Sequence, residues 1–312
     1  MQQLLETAEK IRTMEIRGAG RIAVAAATAL RDYVRELQVS SLEEFEAKVL
    51  EAAAILVDTR PTAVSLPNAV MLTTRYDAST VEEAREQIIA NADKFIERAK
   101  KALETIAQIG AKRLKDGDVV MTHCNSHAAL AIIKAAHKQG KNIRVYTTES
   151  RPRRQGFITI RELNETGIQT TLIVDSAVRI FMKEVDVVIV GADSITANGA
   201  LVNKIGTSQL ALAAKEARVN FISAAETYKF HPMTVMGDMI EIEDRSADEV
   251  IDPKIIAELP NVKVRNPAFD VTPSEYIDLI VTEVGAFPPS MAFVVIRDYL
   301  GLELMEDMKE TA

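Results

Sequence analysis

Short apolar runs alternate with amphipathic stretches from about Asp118 onward, and this alternation constrains the fold more than any other feature. Six runs are predicted to be strands that end in polar residues: DVVMTHC, NIRVYTTE, QTTLIVD, DVVIVGAD, VNFISAAE and DLIVTEVG. Four stretches between them have helical periodicity: SHAALAIIKAAHKQ, TIRELNETG, SAVRIFMKE and TSQLALAAKEAR. Strands that alternate with helices form a parallel sheet covered on both faces. This part of the chain is therefore predicted to be a doubly wound parallel sheet.

Up to about residue 115 the pattern is instead helical throughout. LLETAEKIRTMEI and the stretch from Ile22 to Leu37 repeat apolar residues at steps of three and four. Ser41 and Thr80 are typical N-cap residues, and Thr80 precedes a long, alanine-rich helical stretch. We expect an α/β protein with a helical N-terminal domain at residues 1–116, followed by the doubly wound domain at residues 117–312.

Bulk composition limits the functional class. A length of 312 residues suits two domains, and 47% hydrophobic with 26% charged residues is typical of a globular protein. The single cysteine, Cys124, excludes an internal disulfide and indicates a reducing compartment. The first residues of the sequence do not resemble a signal peptide, and the apolar runs are too short to span a bilayer. The net charge of −8 disfavours nucleic-acid binding. We expect a cytoplasmic protein without a membrane or nucleic-acid partner.

Polar segments follow four of the predicted strands: His123–Asn125, Glu149–Arg151, Asp175–Ser176 and Gly191–Asp193. Ligands of doubly wound sheets bind beyond the carboxyl ends of the strands. We therefore expect the sheet to bring these segments together, although they are far apart along the chain.

Cys124 lies between a predicted strand and a predicted helix. A free cysteine is often a buried structural residue. A thiol near a helix N-terminus can instead have a lowered pKa and act as a base or a nucleophile. Neither reading is excluded by position alone. We do not expect His123 to assist the thiol, because adjacent residues of a strand point to opposite faces.

Asp193 closes the strand DVVIVGAD, where a carboxyl group either caps the next turn or acts as a general acid. An apolar setting would raise its pKa and keep it protonated, as the second role requires. The following glycines are predicted to bend the chain before a helix at Gly206. Lys204 precedes that helix, and a lysine at a helix start suits a phosphate.

Arg17-Gly18-Ala19-Gly20 lies between two predicted helices, where it forms either an ordinary turn or a cradle of N–H groups for a phosphate. No strand precedes it, so it is not a dinucleotide fingerprint. Arg60 and Arg151 each precede a proline, which restricts their backbone and aims their side chains. Single arginines are usually only solvated charges. The four histidines lack metal-ligand spacing, so no metal is predicted.

The motifs THCNS, ESRPRRQG, VDSAV, GADSITANGALVNKIGT and RPTAVSLPNAV together resemble one superfamily. It unites the methylthioribose-1-phosphate isomerases, the ribose-1,5-bisphosphate isomerases and the regulatory subunits of translation initiation factor 2B. The resemblance covers nearly the whole chain, from RGAGR to the final PPS. It implies a small helical domain before a Rossmann-like domain, in agreement with the pattern of strands and helices.

Within this superfamily, the motifs favour the archaeal ribose-1,5-bisphosphate isomerases. Cys124 and Asp193 match the catalytic pair of the isomerases, whereas the regulatory subunits generally lack the cysteine. The chain has RGAG, GADSI and NGA where methylthioribose-1-phosphate isomerases typically have RGAP, GADRI and NGD. His127 departs from the family pattern, in which a lysine or a small residue is expected after CNS.

The resemblance implies that the protein converts ribose 1,5-bisphosphate to ribulose 1,5-bisphosphate, with Cys124 and Asp193 as the catalytic residues and without a cofactor. It also implies that this reaction belongs to AMP degradation and supplies Rubisco. It implies a homodimer or a hexamer built as a trimer of dimers, with AMP as a candidate activator. The substrate contacts that it implies are Arg17, Gly18, Ala19, Gly20, Arg60, Ser126, Arg151, Gln155, Asn203, Lys204 and Lys229.

Two alternatives stay open. A methylthioribose-1-phosphate isomerase of methionine salvage needs an apolar pocket for the methylthio group where the bisphosphate enzyme needs a second cationic one. Arg153 and Arg154 favour the cationic pocket. A non-enzymatic regulatory subunit like those of initiation factor 2B is the other alternative, and Cys124 argues against it.

Overall fold

The N-terminal part of the protein is helical, as predicted. The computed structural model describes residues 1–60, 63–236 and 240–300. Its first five helices are α1 Gln2–Arg12, α2 Ala19–Glu36, α3 Leu42–Asp58, α4 Ser65–Thr74 and α5 Val81–Ala111. Helix α4 is an addition to the predicted set. Across the described ranges, no helix combines the length and the apolar character needed to cross a membrane.

Both predicted N-caps are present. The Ser41 hydroxyl accepts a hydrogen bond of 3.2 Å from the N–H of Glu44, and the Thr80 hydroxyl accepts one of 3.2 Å from the N–H of Glu83. Each cap supplies a partner to one of the N–H groups that a helix start leaves unpaired. Helices α3 and α5 therefore begin where the local sequence predicts.

Among the described residues that follow α5 there are ten strands, and six of them are the predicted ones. The strands are β1 Val119–Thr122, β2 Arg144–Thr148, β3 Gln169–Ile173, β4 Val187–Val190, β5 Ser194–Ile195, β6 Leu201–Lys204, β7 Asn220–Ala224, β8 Phe269–Thr272, β9 Leu279–Thr282 and β10 Gly285–Phe287. The main sheet has the order β3-β2-β1-β4-β7-β9-β10 and is parallel except for β10. The strand order reverses between β1 and β4, which is the position of ligand sites in doubly wound sheets. The predicted fold class is confirmed.

Helices cover both faces of this sheet. The helices that follow α5 are α6 His127–Lys138, α7 Gly156–Glu165, α8 Val178–Phe181, α9 Thr207–Ala217, α10 Pro253–Ala257 and α11 Ala292–Val295, and all of these except α10 contribute buried residues to the cores on the two faces. Along β1, Val120 packs in a core with α6 and α7, whereas Met121 packs in a second core with α8, α9 and α11. Alternate residues of a strand point to opposite faces, so each buried strand supplies both cores.

A second, antiparallel sheet of β5, β6 and β8 was not predicted. β5 and β6 form a hairpin whose turn includes Gly199, with φ of 80°. The sequence predicts only a bend here, because the two strands are short and β8 joins them from a distant part of the chain. This sheet carries Lys204 to the carboxyl end of the main sheet.

Helix α5 belongs to both parts of the molecule. Ala84 and Ile88 in its first half pack in the core of the helical part, whereas Ile106 and Ala111 in its second half pack in the core shared with α6. The domain boundary near residue 116 stays a prediction, since one continuous helix contributes to both cores.

Asn68 of α4 joins the helical part to the turn that follows β7. Its side-chain amide is buried and donates to the carbonyl oxygens of Tyr228 at 2.9 Å and Phe230 at 2.8 Å. Nearby, the Ser65 hydroxyl donates to the carbonyl oxygen of Ala19 at 3.0 Å. These hydrogen bonds fix the turn after β7 against the helical part.

Replacing Asn68 is expected to destabilise the protein. Asn68→Ala would leave two buried carbonyl oxygens without their donor, which predicts a loss of about 2–4 kcal/mol in the free energy of unfolding. Urea denaturation at fixed protein concentration measures this loss. Asn164→Ala, at an exposed position of α7, is the matched control and is expected to change stability by about 0.5 kcal/mol or less. Equal stability of the two variants would contradict the prediction.

Candidate active site

A cavity of about 670 Å³ lies between the helical part and the carboxyl ends of the main sheet. It brings together every predicted site residue except Arg151. The lining therefore includes Arg17, Gly18, Ala19, Gly20, Arg60, Cys124, Ser126, Gln155, Asp193, Asn203, Lys204 and Lys229. These residues come from both parts of the molecule, so neither part forms the cavity alone.

Cys124 follows β1 in a left-handed backbone conformation, with φ of 66°. Its N–H donates to the Ser150 hydroxyl at 2.8 Å, and its carbonyl oxygen accepts from the Thr159 hydroxyl at 2.7 Å. Ser126 is the N-cap of α6, and its hydroxyl accepts from the N–H of Ala129 at 3.3 Å. The thiol therefore lies just before a helix start, as predicted.

Of the two readings that position alone left open for Cys124, the one with a lowered thiol pKa does not agree with the structure. Burial raises the pKa of Cys124 to about 11, although the charge of Lys204 and a backbone N–H oppose this rise. The sequence argument considered the helix N-terminus but not the depth at which the thiol lies. Loss of hydration disfavours the thiolate more than the neighbouring positive charge favours it.

Asp193 lies just beyond β4, where its N–H donates to the carbonyl oxygen of Val202 at 3.0 Å. Burial raises the pKa of its carboxyl group, against the opposing charges of Lys204, Lys229, Arg60 and Arg245. This is the direction expected from the apolar strand. A carboxyl group with a raised pKa can remain protonated and donate a proton.

The approach of β4 to α6 requires a glycine at position 191. A Cβ atom there would lie 2.2 Å from the Ser126 hydroxyl oxygen and 2.5 Å from the Ser126 Cβ. Gly191 therefore lets the segment that carries Asp193 pass directly over the start of α6. The two predicted catalytic residues reach one cavity because of this close approach.

Lys204 lines the cavity, but the helix start that follows it is already occupied. The Asp270 carboxylate accepts from the N–H of Gly206 at 2.7 Å and from that of Ser208 at 3.1 Å. The predicted phosphate site on the N–H groups of α9 is therefore wrong. The Lys204 ammonium is buried, donates to the carbonyl oxygen of Ala268 at 3.0 Å and lies 4.9 Å from the centre of the Phe269 ring.

The two arginines that precede prolines have different surroundings. Arg60 lines the cavity and forms an ion pair of 3.2 Å with Glu243, which also pairs with Arg245 at 3.0 Å. Arg151 is exposed, lies outside the lining and donates from its guanidinium to the carbonyl oxygen of Val250 at 3.2 Å. The geometry supports Arg60 as a ligand contact and gives no support for Arg151.

A buried ion pair lies beside the Arg17–Gly20 loop. Glu226 and Lys229 are paired at 2.7 Å, and the Tyr228 hydroxyl donates to Glu226 at 3.1 Å. A Cβ atom on Gly20 would lie 2.9 Å from that hydroxyl oxygen, so the start of α2 packs directly on this turn. Burial raises the pKa of the Glu226 carboxyl group, but the Lys229 charge and the hydrogen bonds from Lys229, Tyr228 and a backbone N–H together outweigh burial, so the net shift is downward.

Of the two interpretations of the Arg17–Gly20 loop, the geometry at the start of α2 favours an anion site over an ordinary turn. Gly18 is its N-cap, with φ of 90°, and within the described chain no side chain caps the N–H groups of the first turn. Helix N-termini with free N–H groups attract anions. Gln155 also lines the cavity, and its side-chain oxygen is buried with no hydrogen-bond partner among the described residues. Both features face the space in which a polar ligand would lie.

Several cavity residues were not among the predicted contacts, namely Arg21, Glu226, Tyr228 and Arg245. His127, which departs from the family pattern, also lines the cavity, and its Nε2 accepts from the Arg21 guanidinium at 2.6 Å. Burial and the Arg21 charge lower the pKa of His127. Arg21 was within reach of sequence reasoning because it directly follows the glycine loop, whereas nothing local marks Glu226 or Arg245.

Metal binding has no geometric support in the portion of the chain that the structure describes. No three histidine, cysteine, aspartate or glutamate side chains lie close enough there to hold an ion. The ionisable groups of the described lining are instead a thiol, carboxyl groups, imidazole rings, a phenol, ammonium groups and guanidinium groups. This set can move protons and bind anions.

The Initiation factor 2 subunit family model matches residues 15–289, and the chain therefore belongs to that family. It is 56% identical to the ribose 1,5-bisphosphate isomerase of Archaeoglobus fulgidus, with 100% of this chain and 98% of the relative covered. It is 39% identical to the methylthioribose-1-phosphate isomerase of Acetivibrio thermocellus, with 93% and 90% covered. The crystal structure of the Pyrococcus horikoshii OT3 translation initiation factor eIF-2B matches with a TM-score of 0.79 and 35% identity, covering 93% of this chain and 98% of that one. The resemblance seen in the motifs is confirmed.

The raised pKa of Cys124 predicts that its thiol stays protonated at neutral pH. With a pKa of about 11, about one molecule in a thousand carries the thiolate at pH 8. Ultraviolet absorbance of the thiolate, titrated from pH 7 to the alkaline limit of stability, measures this because Cys124 is the single cysteine. Cys124→Ser provides the baseline for tyrosine ionisation. A midpoint below the ordinary cysteine value would contradict the prediction.

Proposed function

We propose that this protein is an isomerase that converts α-D-ribose 1,5-bisphosphate to D-ribulose 1,5-bisphosphate. The observation that carries the proposal is the meeting of Cys124 and Asp193, from the ends of the neighbouring strands β1 and β4, in one cavity. The similarity to the Archaeoglobus fulgidus enzyme supports this substrate over methylthioribose 1-phosphate.

The charge of the cavity also supports a substrate with two phosphates. Within the described lining, three acidic side chains, those of Asp193, Glu226 and Glu241, face a larger set of cationic ones. The cationic side chains are Arg17, Arg21, Arg60, Lys100, Lys204, Lys229 and Arg245. In a protein with a net charge of −8, such a local excess of positive charge favours an anionic ligand.

The first step is ring opening. The anomeric oxygen of the substrate is locked in a phosphate ester, so ordinary hemiacetal exchange cannot open the ring. The Asp193 carboxyl group, whose pKa burial raises, gives its proton to the ring oxygen as the bond from that oxygen to C1 breaks. Asp193 is left as a carboxylate, and C1 is left as an electron-poor centre attached to its phosphate.

The second step moves the carbonyl group. The Cys124 thiolate takes the proton from C2, and the electron pair of that bond forms an enol phosphate between C1 and C2. The Asp193 carboxylate then accepts the proton of the C2 hydroxyl as the C2 carbonyl forms. Cys124 returns its proton to C1, so both residues end in their starting states.

The raised pKa of Cys124 does not prevent this cycle. The reactive state, a neutral carboxyl group with a thiolate, has the same total charge as a carboxylate with a thiol. Burial raises the pKa of both groups, so a pair in which both are neutral first releases the thiol proton to solvent, and either group of the coupled pair can then hold the remaining proton. Nearby Lys204, whose charge favours the thiolate, stabilises that state.

The two phosphates have separate places in this scheme. The uncapped start of α2 at Arg17–Gly20 receives one, and Arg60, Gln155, Lys204 and Lys229 surround the other. Charge-assisted hydrogen bonds of this kind are the strong ones. Ser126 and Asn203 line the same space. The oligomeric state, activation by AMP and a role in AMP degradation stay predictions.

Cys124→Ser and Asp193→Asn are each expected to reduce kcat by about 10²–10⁴-fold, because each removes a positioned proton-transfer group. NMR of the purified protein with α-D-ribose 1,5-bisphosphate follows the appearance of ribulose 1,5-bisphosphate. Substrate affinity, measured by calorimetry, is expected to change by less than about tenfold. Asp58→Asn, at an exposed position of α3, is the matched control and is expected to retain wild-type turnover.

Methylthioribose 1-phosphate is tested in parallel. Turnover of that sugar without turnover of the bisphosphate would assign the protein to the other isomerase branch. Absence of turnover with both sugars would favour the non-enzymatic regulatory subunit. Full activity of either catalytic-site variant with the bisphosphate would remove that residue from the mechanism.

A further inference from the structure

The backbone at Cys124 adopts a conformation that L-amino acids avoid. Its φ of 66° lies in the left-handed region, where a Cβ atom comes too close to the backbone. Cys124 is not a glycine, and it follows the central strand β1 directly. Residues in such strained conformations persist when their surroundings hold them, and they occur often at active sites.

Two hydroxyl groups from other elements hold this conformation. The Ser150 hydroxyl, beyond β2, accepts from the Cys124 N–H at 2.8 Å, and the Thr159 hydroxyl, on α7, donates to the Cys124 carbonyl oxygen at 2.7 Å. Both side chains are fully buried. The peptide groups on either side of the Cys124 Cα are therefore fixed independently of each other.

Each of these hydroxyl groups is itself held. Thr159 accepts from the Asn125 side-chain amide at 3.2 Å, and that amide also donates to Glu162 at 3.1 Å. Glu162 is paired with Lys134 of α6 at 2.7 Å. The Thr159 hydroxyl thus uses both its donor and its acceptor capacity within the protein, which fixes its orientation.

On the other side, Ser150 begins a relay through Thr148 and His123. Ser150 and Thr148 hydroxyl oxygens lie 3.2 Å apart, and Thr148 lies 2.5 Å from Nδ1 of His123. The Nε2 of His123 donates to the carbonyl oxygen of Ile205 at 2.8 Å. Burial lowers the pKa of His123, so the neutral ring accepts from Thr148, and Thr148 accepts from Ser150. The relay joins the ends of β2, β1 and β6.

We propose that Ser150 and Thr159 are positioning residues that hold Cys124 in its left-handed conformation and so direct its thiol into the cavity. We call Ser150, Thr159 and the groups that hold their hydroxyl groups the frame of Cys124. The hydrogen bonds through His123 also join this frame to the segment that carries Lys204, the cation that favours the thiolate. The catalytic consequence rests on the proposed isomerase function. The conformational claim depends on the geometry alone, so the two can fail separately.

The kinetic test replaces Thr159, because valine has nearly the same shape without the hydroxyl group. Thr159→Val is expected to lower kcat by about 10–100-fold with KM changed less than about threefold, since a misplaced reactive group slows chemistry. Thr159→Ser retains the hydroxyl group and is expected to restore most of kcat. Thr166→Val is the control, because Thr166 lies at the end of the same helix and donates to Leu163 at 2.8 Å, away from Cys124. Wild-type kcat in Thr159→Val, or an equal loss in Thr166→Val, would overturn the proposal.

A stability test decides the conformational claim without any turnover. Glycine tolerates the left-handed region, so Cys124→Gly is expected to melt about 2–4 °C above Cys124→Ala. In a Thr159→Val background the loop can relax, and this difference is expected to disappear. Alanine as stable as glycine in the wild-type background, or an unchanged difference in the Thr159→Val background, would show that the frame does not hold Cys124. If the wild type turns over no sugar, the comparison of these melting temperatures still tests whether the frame holds the Cys124 conformation. Only the proposed isomerase function is then contradicted.

Discussion

The parallel pairing of β1 with β4 is the interaction on which the rest of the site depends. Val120 pairs with Val187 and Met121 with Val188, which places the two strands side by side at the point where the strand order reverses. The chain leaves β1 toward α6 on one face, whereas after β4 it enters the small antiparallel sheet. A crevice therefore remains between the two strand ends. Gly191 lets the end of β4 lie close to Ser126 at the start of α6, because a larger side chain at position 191 would collide with Ser126.

The cations of this crevice are held by partners within the protein. Lys229 pairs with Glu226, Arg60 pairs with Glu243, and Lys204 donates to the carbonyl oxygen of Ala268. A buried charge without a partner is costly, so such pairing is needed before any ligand arrives. It also fixes the cations in place, and fixed charges lose less entropy when a phosphate binds.

The helical part completes the site rather than serving as a separate appendage. The start of α2 supplies uncapped N–H groups, Asn68 of α4 holds the turn that carries Lys229, and α5 contributes to the cores of both parts. The seam between the two parts lies along one wall of the cavity. Changes in the packing of this seam therefore act directly on the ligand site, since the same turn contacts Gly20 and carries the Glu226–Lys229 pair.

Local sequence determined the six parallel strands, the caps at Ser41 and Thr80, and the placement of Cys124 and Asp193 at strand ends, because periodicity and capping depend on near neighbours. Tertiary structure alone decided the rest. Asp270 occupies the start of α9 from 64 residues away, and Arg60 and Arg151 look alike in sequence although only Arg60 lines the cavity. The thiol of Cys124 lies near a helix start, yet its pKa rises, because the depth of burial depends on chain segments that no local pattern reveals.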